Sequence, residues 1–168
     1  VNTRFKGAEA APILTRSRVR LLVTVTDFLG TDYVSMLDET GAELADLETL
    51  VVIDGPVPDR GVSWADFVGR STDEGLAEVD RRRAAVSPDD PSDILFTSGT
   101  TGLPKGVVQT HGRTVLVATD WVAMTGLRAG DRYLMVNPYF HMFGLKAGIL
   151  ASVAAVATML PEPVFDVD

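Results

Sequence analysis

Residues 94–106 read Ile-Leu-Phe-Thr-Ser-Gly-Thr-Thr-Gly-Leu-Pro-Lys-Gly. An apolar strand pattern runs straight into four hydroxyl residues, Thr97, Ser98, Thr100 and Thr101, interleaved with Gly99 and Gly102. Glycine lets backbone N–H groups approach a ligand closely and tolerates positive φ. The hydroxyls add side-chain donors, and Lys105, two residues after Leu103 and directly after Pro104, adds a point charge. Such a string makes a nest for phosphate oxygens. The bland reading, a glycine loop with an exposed lysine, fits a single Gly-Thr pair but not the full run Thr97–Gly106. The run is not a Walker A loop, which needs Gly before the lysine and Ser or Thr after it. Here Pro104 precedes Lys105 and Gly106 follows it. Nor does the spacing of Gly99 and Gly102 fit G-x-G-x-x-G.

The charge distribution agrees with an anion-tolerant centre. The chain has 168 residues and a net charge of −8. Residues 1–20 hold five basic and one acidic residue, residues 21–95 five and seventeen, and residues 96–168 five of each. No acidic residue lies between Asp93 and Asp120, whereas Lys105, His111 and Arg113 do. An acid-free window with cations suits a polyanion, although a chance gap is the plain alternative. The overall acidity argues against broad nucleic-acid binding. The absence of cysteine excludes disulfides, thiolate catalysis and zinc–thiolate sites, and fits a reducing, cytoplasmic compartment.

The elements that must position this run alternate in type. Strand patterns occur at Val19–Val25, Thr49–Ile53, Asp93–Thr97, Gly106–Thr110, Arg132–Val136 and Val156–Leu160. Helical patterns occur at Ser63–Arg70, with Ser63 as N-cap, and at Thr72–Ala85, with Leu76, Val79 and Ala84 facing inward. His111–Thr125 is a helix stopped by Gly126, and Phe143–Ala155 is an apolar helix. Gly7–Arg16 looks helical too, but Pro12 would kink an interior turn, so a start at Ala11 is expected. The alternation predicts an α/β fold with a largely parallel sheet and flanking helices. Ser87–Pro91 reads as a linker, giving α/β portions 1–86 and 87–168. The start, with Arg4 and Lys6 and no apolar run, does not read as a signal peptide. The longest uncharged run, Ala147–Pro161, has 15 residues, short of the roughly 20 a spanning helix needs. Val1 in place of Met and an end without a tail suggest an incomplete piece of something longer.

Two further positions invite a chemical reading. Lys146 alone interrupts the uncharged stretch Tyr133–Pro161, in the first turn of the expected helix, where a cation opposes the dipole. It is read either as an exposed lysine snorkelling from an apolar patch or as a residue that meets an anionic or carbonyl partner. His141 is read either as a satisfied, half-buried histidine or as part of a ligand channel. Trp64 and Trp121 read as packing residues.

The ten residues Thr97–Gly106 resemble the AMP-binding signature of the adenylate-forming superfamily, at every position. That superfamily includes acyl-CoA synthetases, adenylation domains of peptide synthetases and firefly-type luciferases. Asn137-Pro138-Tyr139-Phe140-His141-Met142-Phe143-Gly144 resembles its next motif in the acyl-CoA synthetase form. Amino-acid-activating relatives carry Phe-Asp there; this chain has Phe140-His141, which implies an acid without an α-amino group. The opening strings Val1–Phe5 and Ala8–Ala11 also fit, with Pro12 departing from the larger residue usual there. Ser92–Phe96 and Lys146–Ala151 are similar to actinobacterial fatty-acid–CoA ligases, including the type that activates a propanoate left by sterol-ring degradation.

The resemblance implies the following. The chain is part of a large N-terminal domain, with the C-terminal domain outside it. Thr97, Ser98, Gly99, Thr100, Thr101, Gly102, Leu103, Pro104 and Lys105 hold ATP phosphates. Phe140, His141, Met142, Gly144 and Lys146 border the acyl and pantetheine channel. The partners are ATP, a carboxylic acid and CoA. The magnesium-binding Glu, a ribose-binding Asp and the catalytic Lys lie downstream, so no catalytic or metal-binding residue is assigned here. The isolated piece is expected to lack ligase activity and, through its apolar region Gly144–Leu160, to self-associate. Two rivals are an enzyme delivering acyl groups to a carrier-protein thiol or to oxygen, and a non-catalytic nucleotide-binding module.

Overall fold

A computed structural model describes residues 1–97 and 104–162. They form two compact units, one built on Thr3–Ala85 and one that begins at Val86. Each is an α/β unit.

The first unit opens with helix α1, Gly7–Arg16. It starts four residues earlier than expected and keeps Pro12 inside. The cap explains how. The Lys6 N–H donates to Glu9 Oε2 at 2.9 Å, and the Glu9 and Ala10 amides donate back to the Lys6 carbonyl. This satisfies the first turn, so one missing proline N–H does not break the helix. Strand β1 (Leu21–Thr24) pairs in parallel with β2 (Thr49–Val52), and β2 with β3 (Gly61–Ser63). Val51 and Val52 of the central strand are fully buried. Between β1 and β2 lies helix α2, Tyr33–Asp38, which hydrophobic periodicity did not reveal. Its signal is a cap: Asp32 Oδ1 accepts from the Val34 and Ser35 amides at 2.9 and 3.0 Å. Ala10, Ala11 and Leu14 of α1 pack with Leu37 of α2, supported by Val19, Leu22 and Leu44.

Helix α3 (Trp64–Gly69) begins, as expected, at the N-cap Ser63, whose Oγ accepts from the Asp66 amide. Trp64 faces Phe67 with ring centroids 6.2 Å apart. Helix α4 (Asp73–Ala85) corrects an expectation: Leu76, Val79 and Ala84 are exposed, and the helix has no buried residue. Three apolar side chains among so many charges make a weak stripe. The helix carries intrahelical pairs instead, Arg81 and Arg82 on Glu78 and Arg83 on Asp80.

In the second unit, β4 (Pro91–Thr97) and β5 (Lys105–Thr110) form an antiparallel hairpin. The short connection dictates this, because a parallel return needs a crossover of a dozen or more residues. Helix α5 (His111–Thr125) follows at once and ends at Gly126, whose φ of +69° supplies the left-handed C-cap. Strand β6 (Arg132–Met135) pairs in parallel with β7 (Thr158–Pro161). β7 starts two residues later than expected, because Val156 takes φ +57° at the preceding helix end. The crossover between β6 and β7 is helical but not uniformly α. Phe143–Leu150 is a π-helical segment, followed by α6, Ala151–Ala155. The Ala151 amide reaches the Lys146 carbonyl, five residues back. Among the described residues no helix is long and apolar enough to cross a membrane.

Candidate functional site

The hairpin fixes both ends of the hydroxyl- and glycine-rich run. Thr97 is the last residue of β4 and Lys105 the first of β5, and they are partners in the ladder. Thr97 Oγ1 donates to the Lys105 carbonyl at 3.5 Å, and both residues are exposed. Pro104 directly precedes Lys105 and is partly buried. Ser98, Gly99, Thr100, Thr101, Gly102 and Leu103 lie outside the described residues. One rung further in, Phe96 faces Gly106, where a β-carbon would press on Ile94 Cγ2 at 3.1 Å and Phe96 Cζ at 3.3 Å. A lysine ammonium at this mouth is free of the sheet, because the ladder uses only its backbone.

The second motif is a tight turn between β6 and the π segment. Met135 at the end of β6 is buried. The His141 amide donates to the Pro138 carbonyl at 3.0 Å, and the Leu145 amide to the His141 carbonyl at 3.0 Å. The Phe143 amide donates to His141 Nδ1 at 3.2 Å. An accepting Nδ1 places the proton of a neutral ring on Nε2. His141 is exposed rather than half-buried, as are Met142 and Tyr139, while Phe140 is partly buried. Phe143 meets Trp121 of α5 edge to face, centroids 5.0 Å apart, so Trp121 packs as expected. Gly144 is buried against the carbonyl of Pro138.

Lys146 is not an exposed, snorkelling side chain. It is 3% exposed. Its Nζ donates to Asp93 Oδ2 of β4 at 2.5 Å and to Thr114 Oγ1 of α5 at 2.6 Å. Asp93 Oδ2 also accepts from Ser92 Oγ at 2.6 Å and Thr114 Oγ1 at 3.1 Å, whereas Oδ1 is buried without a partner. Burial pushes the Asp93 carboxyl up, but donation from Lys146, Ser92 and Thr114 outweighs it and holds the group below its ordinary value. Sequence reasoning missed Asp93, Ser92 and Thr114. A signal existed: a lone cation in a long uncharged stretch needs a counter-ion if buried, and Asp93 is the last acid before the acid-free window. Among the described residues no group of three or more His, Asp or Glu side chains could hold a metal ion.

The sequence model of the AMP-binding enzyme family matches residues 1–167. The chain belongs to the AMP-binding enzyme family. Among its relatives in that family is the 3-[(3aS,4S,7aS)-7a-methyl-1,5-dioxo-octahydro-1H-inden-4-yl]propanoyl:CoA ligase of Rhodococcus jostii, 44% identical over 99% of this chain and 33% of the ligase. The ligase of the same name from Mycobacterium tuberculosis is 42% identical over 99% of this chain and 32% of its own. The chain thus spans about a third of the length of these curated relatives. A crystal structure of the N-terminal domain of FACL13 from Mycobacterium tuberculosis matches with a TM-score of 0.65 at 28% identity, over 99% of this chain and 37% of that one. The anthranilate CoA ligase AuaEII shares the fold at a TM-score of 0.76 and 24% identity, over 95% of this chain and 29% of its own. The α/β fold of this AMP-binding chain is therefore that of the N-terminal domain of adenylate-forming enzymes.

Proposed function

We propose that this chain is the phosphate-binding and acyl-facing part of an ATP-dependent acyl-CoA ligase. The observation that carries this is the Thr97–Lys105 rung, which closes a hairpin whose run Thr97–Gly106 has the family signature at every position. In the complete protein a carboxylate oxygen attacks the α-phosphorus of ATP, pyrophosphate leaves, and an acyl-adenylate forms. The CoA thiol then attacks the acyl carbonyl and AMP leaves. Thr97–Lys105 hold the β- and γ-phosphates, with Lys105 offsetting the charge that builds on the leaving pyrophosphate. Phe140, His141, Met142 and Gly144 border the acyl and pantetheine channel. The absence of an acid at His141 fits a substrate without an α-amino group. Magnesium acts with ATP in such chemistry. Among the described residues no group of three or more His, Asp or Glu side chains could hold it, and the family resemblance places its Glu ligand downstream.

The names of the Rhodococcus and Mycobacterium relatives support a polycyclic propanoic acid as substrate. The reading also includes a cytoplasmic location, two α/β portions meeting near residue 86, self-association through Gly144–Leu160, and no ligase activity in the 168 residues alone. Acid-dependent ATP–pyrophosphate exchange by the complete gene product, across fatty, aryl and polycyclic propanoic acids, tests it. Exchange with one class establishes adenylation and the substrate class together. A folded protein that exchanges with none overturns the reading.

A further inference from the structure

Arg18–Asp46, Arg20–Glu48 and Arg81–Glu78 are exposed ion pairs; Lys146–Asp93 is not. Its Lys146 side chain is 4% exposed and its Asp93 side chain 22%. Burying both charges costs desolvation that their attraction only partly returns, and an apolar pair of similar size often holds a fold as well. Stability is therefore a poor account of the pair, and its position is a better one. Nζ of Lys146 ties three elements together: the π segment that carries it, β4 through Asp93, and α5 through Thr114.

Two of these elements, β4 and the π segment, each lead to one half of the site. Asp93 lies four residues before Thr97 on a paired strand, about 13 Å along it. Lys146 lies two residues after Gly144, which is wedged against the Pro138 carbonyl of the acyl-side turn. The π winding is part of the arrangement. It leaves Lys146, Ala147 and Gly148 buried in succession, and such windings recur at functional sites.

We propose that Lys146 is a positioning residue: its bond to Asp93 sets the spacing between the phosphate-side pair Thr97 and Lys105 and the acyl-side segment Phe140–Gly144. The inference rests on the ligase reading above. It touches neither substrate. It holds the two half-sites at the distance from which a carboxylate can reach the α-phosphorus.

A positioning role separates kcat from KM, because each substrate still finds its own half-site while the approach between them is lost. The test uses the complete gene product and pyrophosphate exchange. Lys146→Met alone leaves Asp93 buried and unpaired and lowers the melting temperature. The double variant Lys146→Met with Asp93→Leu removes both charges and regains it. Its exchange kcat is expected to fall at least about tenfold, as a misplacement near 1 Å can cost more, with KM for ATP and for the acid each within about twofold of wild type. Lys146→Arg keeps the charge on a longer, planar head and so remakes the bond to Asp93 at a different spacing; should the double variant not fold, this variant is expected to lower kcat in the same way. Wild-type kcat in a folded variant overturns the inference, and a raised KM for the acid at that unchanged kcat would mean direct contact instead. No exchange by the wild-type protein overturns the ligase reading and this inference with it, whereas an active wild type beside an equally active variant overturns this inference alone.

Discussion

No side-chain carbon fits between Gly144 and the main chain of Pro138. A β-carbon built on Gly144 collides with the Pro138 carbonyl oxygen and comes within 2.9 Å of the Asn137 oxygen. Both obstacles are backbone, and the same Pro138 oxygen accepts from the His141 amide. Gly144→Ala must therefore displace the whole turn that presents Phe140, His141 and Met142. Overpacking of this kind costs about 1–3 kcal/mol. Urea denaturation of the variant is expected to show a loss in that range, together with a raised KM for the acid in the complete enzyme. An unchanged midpoint would mean that the turn yields freely.

Lys105→Gln removes a charge at the mouth of the hairpin without disturbing the ladder, since the side chain is exposed and β5 pairs through its backbone. A hydrogen bond to a charged group contributes roughly 1.5–3 kcal/mol, so the KM for ATP is expected to rise about tenfold or more. The melting temperature is expected to stay at the wild-type value. Unchanged ATP kinetics in the complete protein would remove Lys105 from the phosphate site.

The Asp93 carboxyl is held below its ordinary value of 3.8 in the fold. Its contribution to stability is present in full above that value and is lost as pH falls through the folded-state value, because the unfolded chain takes up the proton first. Unfolding free energy measured from roughly pH 4 down to pH 2 should fall with pH in the wild-type chain and fall less steeply in Asp93→Asn. The slope is the informative quantity, since the variant also strands the Lys146 charge at every pH. Equal slopes would show that Asp93 is not responsible for any of the acid limb.

Asp32→Ala removes both amide contacts of the α2 cap and the 2.7 Å bond from Ser35 Oγ. Loss of such a cap costs about 1 kcal/mol. The effect should be confined to the first unit, whose core includes Leu37 of the same helix. Hydrogen exchange that rose no faster at Val34–Leu37 than elsewhere would argue that packing alone holds the helix.

Much of the fold was legible because local chemistry and tertiary structure agree. The apolar residues Leu50, Val51 and Val52 are the buried part of the central strand, and Gly126 stops α5 where a left-handed residue is needed. The misses share a cause, which is dependence on distant partners. Six residues of α2 hold too little periodicity to read, so only its cap gives it away. Lys146 looked like a surface lysine because its counter-ion is 53 residues upstream. Spacing alone points Leu76 and Val79 inward, yet spacing cannot say whether a surface exists to receive them, and both are exposed. The signature run was legible as chemistry, and its antiparallel setting could have been read from the shortness of the link between β4 and β5.

Loop closure gives the Thr97–Lys105 rung its thermodynamic weight. Bringing two points of a chain together costs entropy that grows with the logarithm of the intervening length. Here the β4–β5 ladder meets that cost by itself. On the proposed reading, a phosphate docking at the hairpin end would find the two termini of the run already joined, and none of its binding energy would be diverted to closing them. The hydrogen bonds of a sheet can in this way raise the affinity for a nucleotide they never touch.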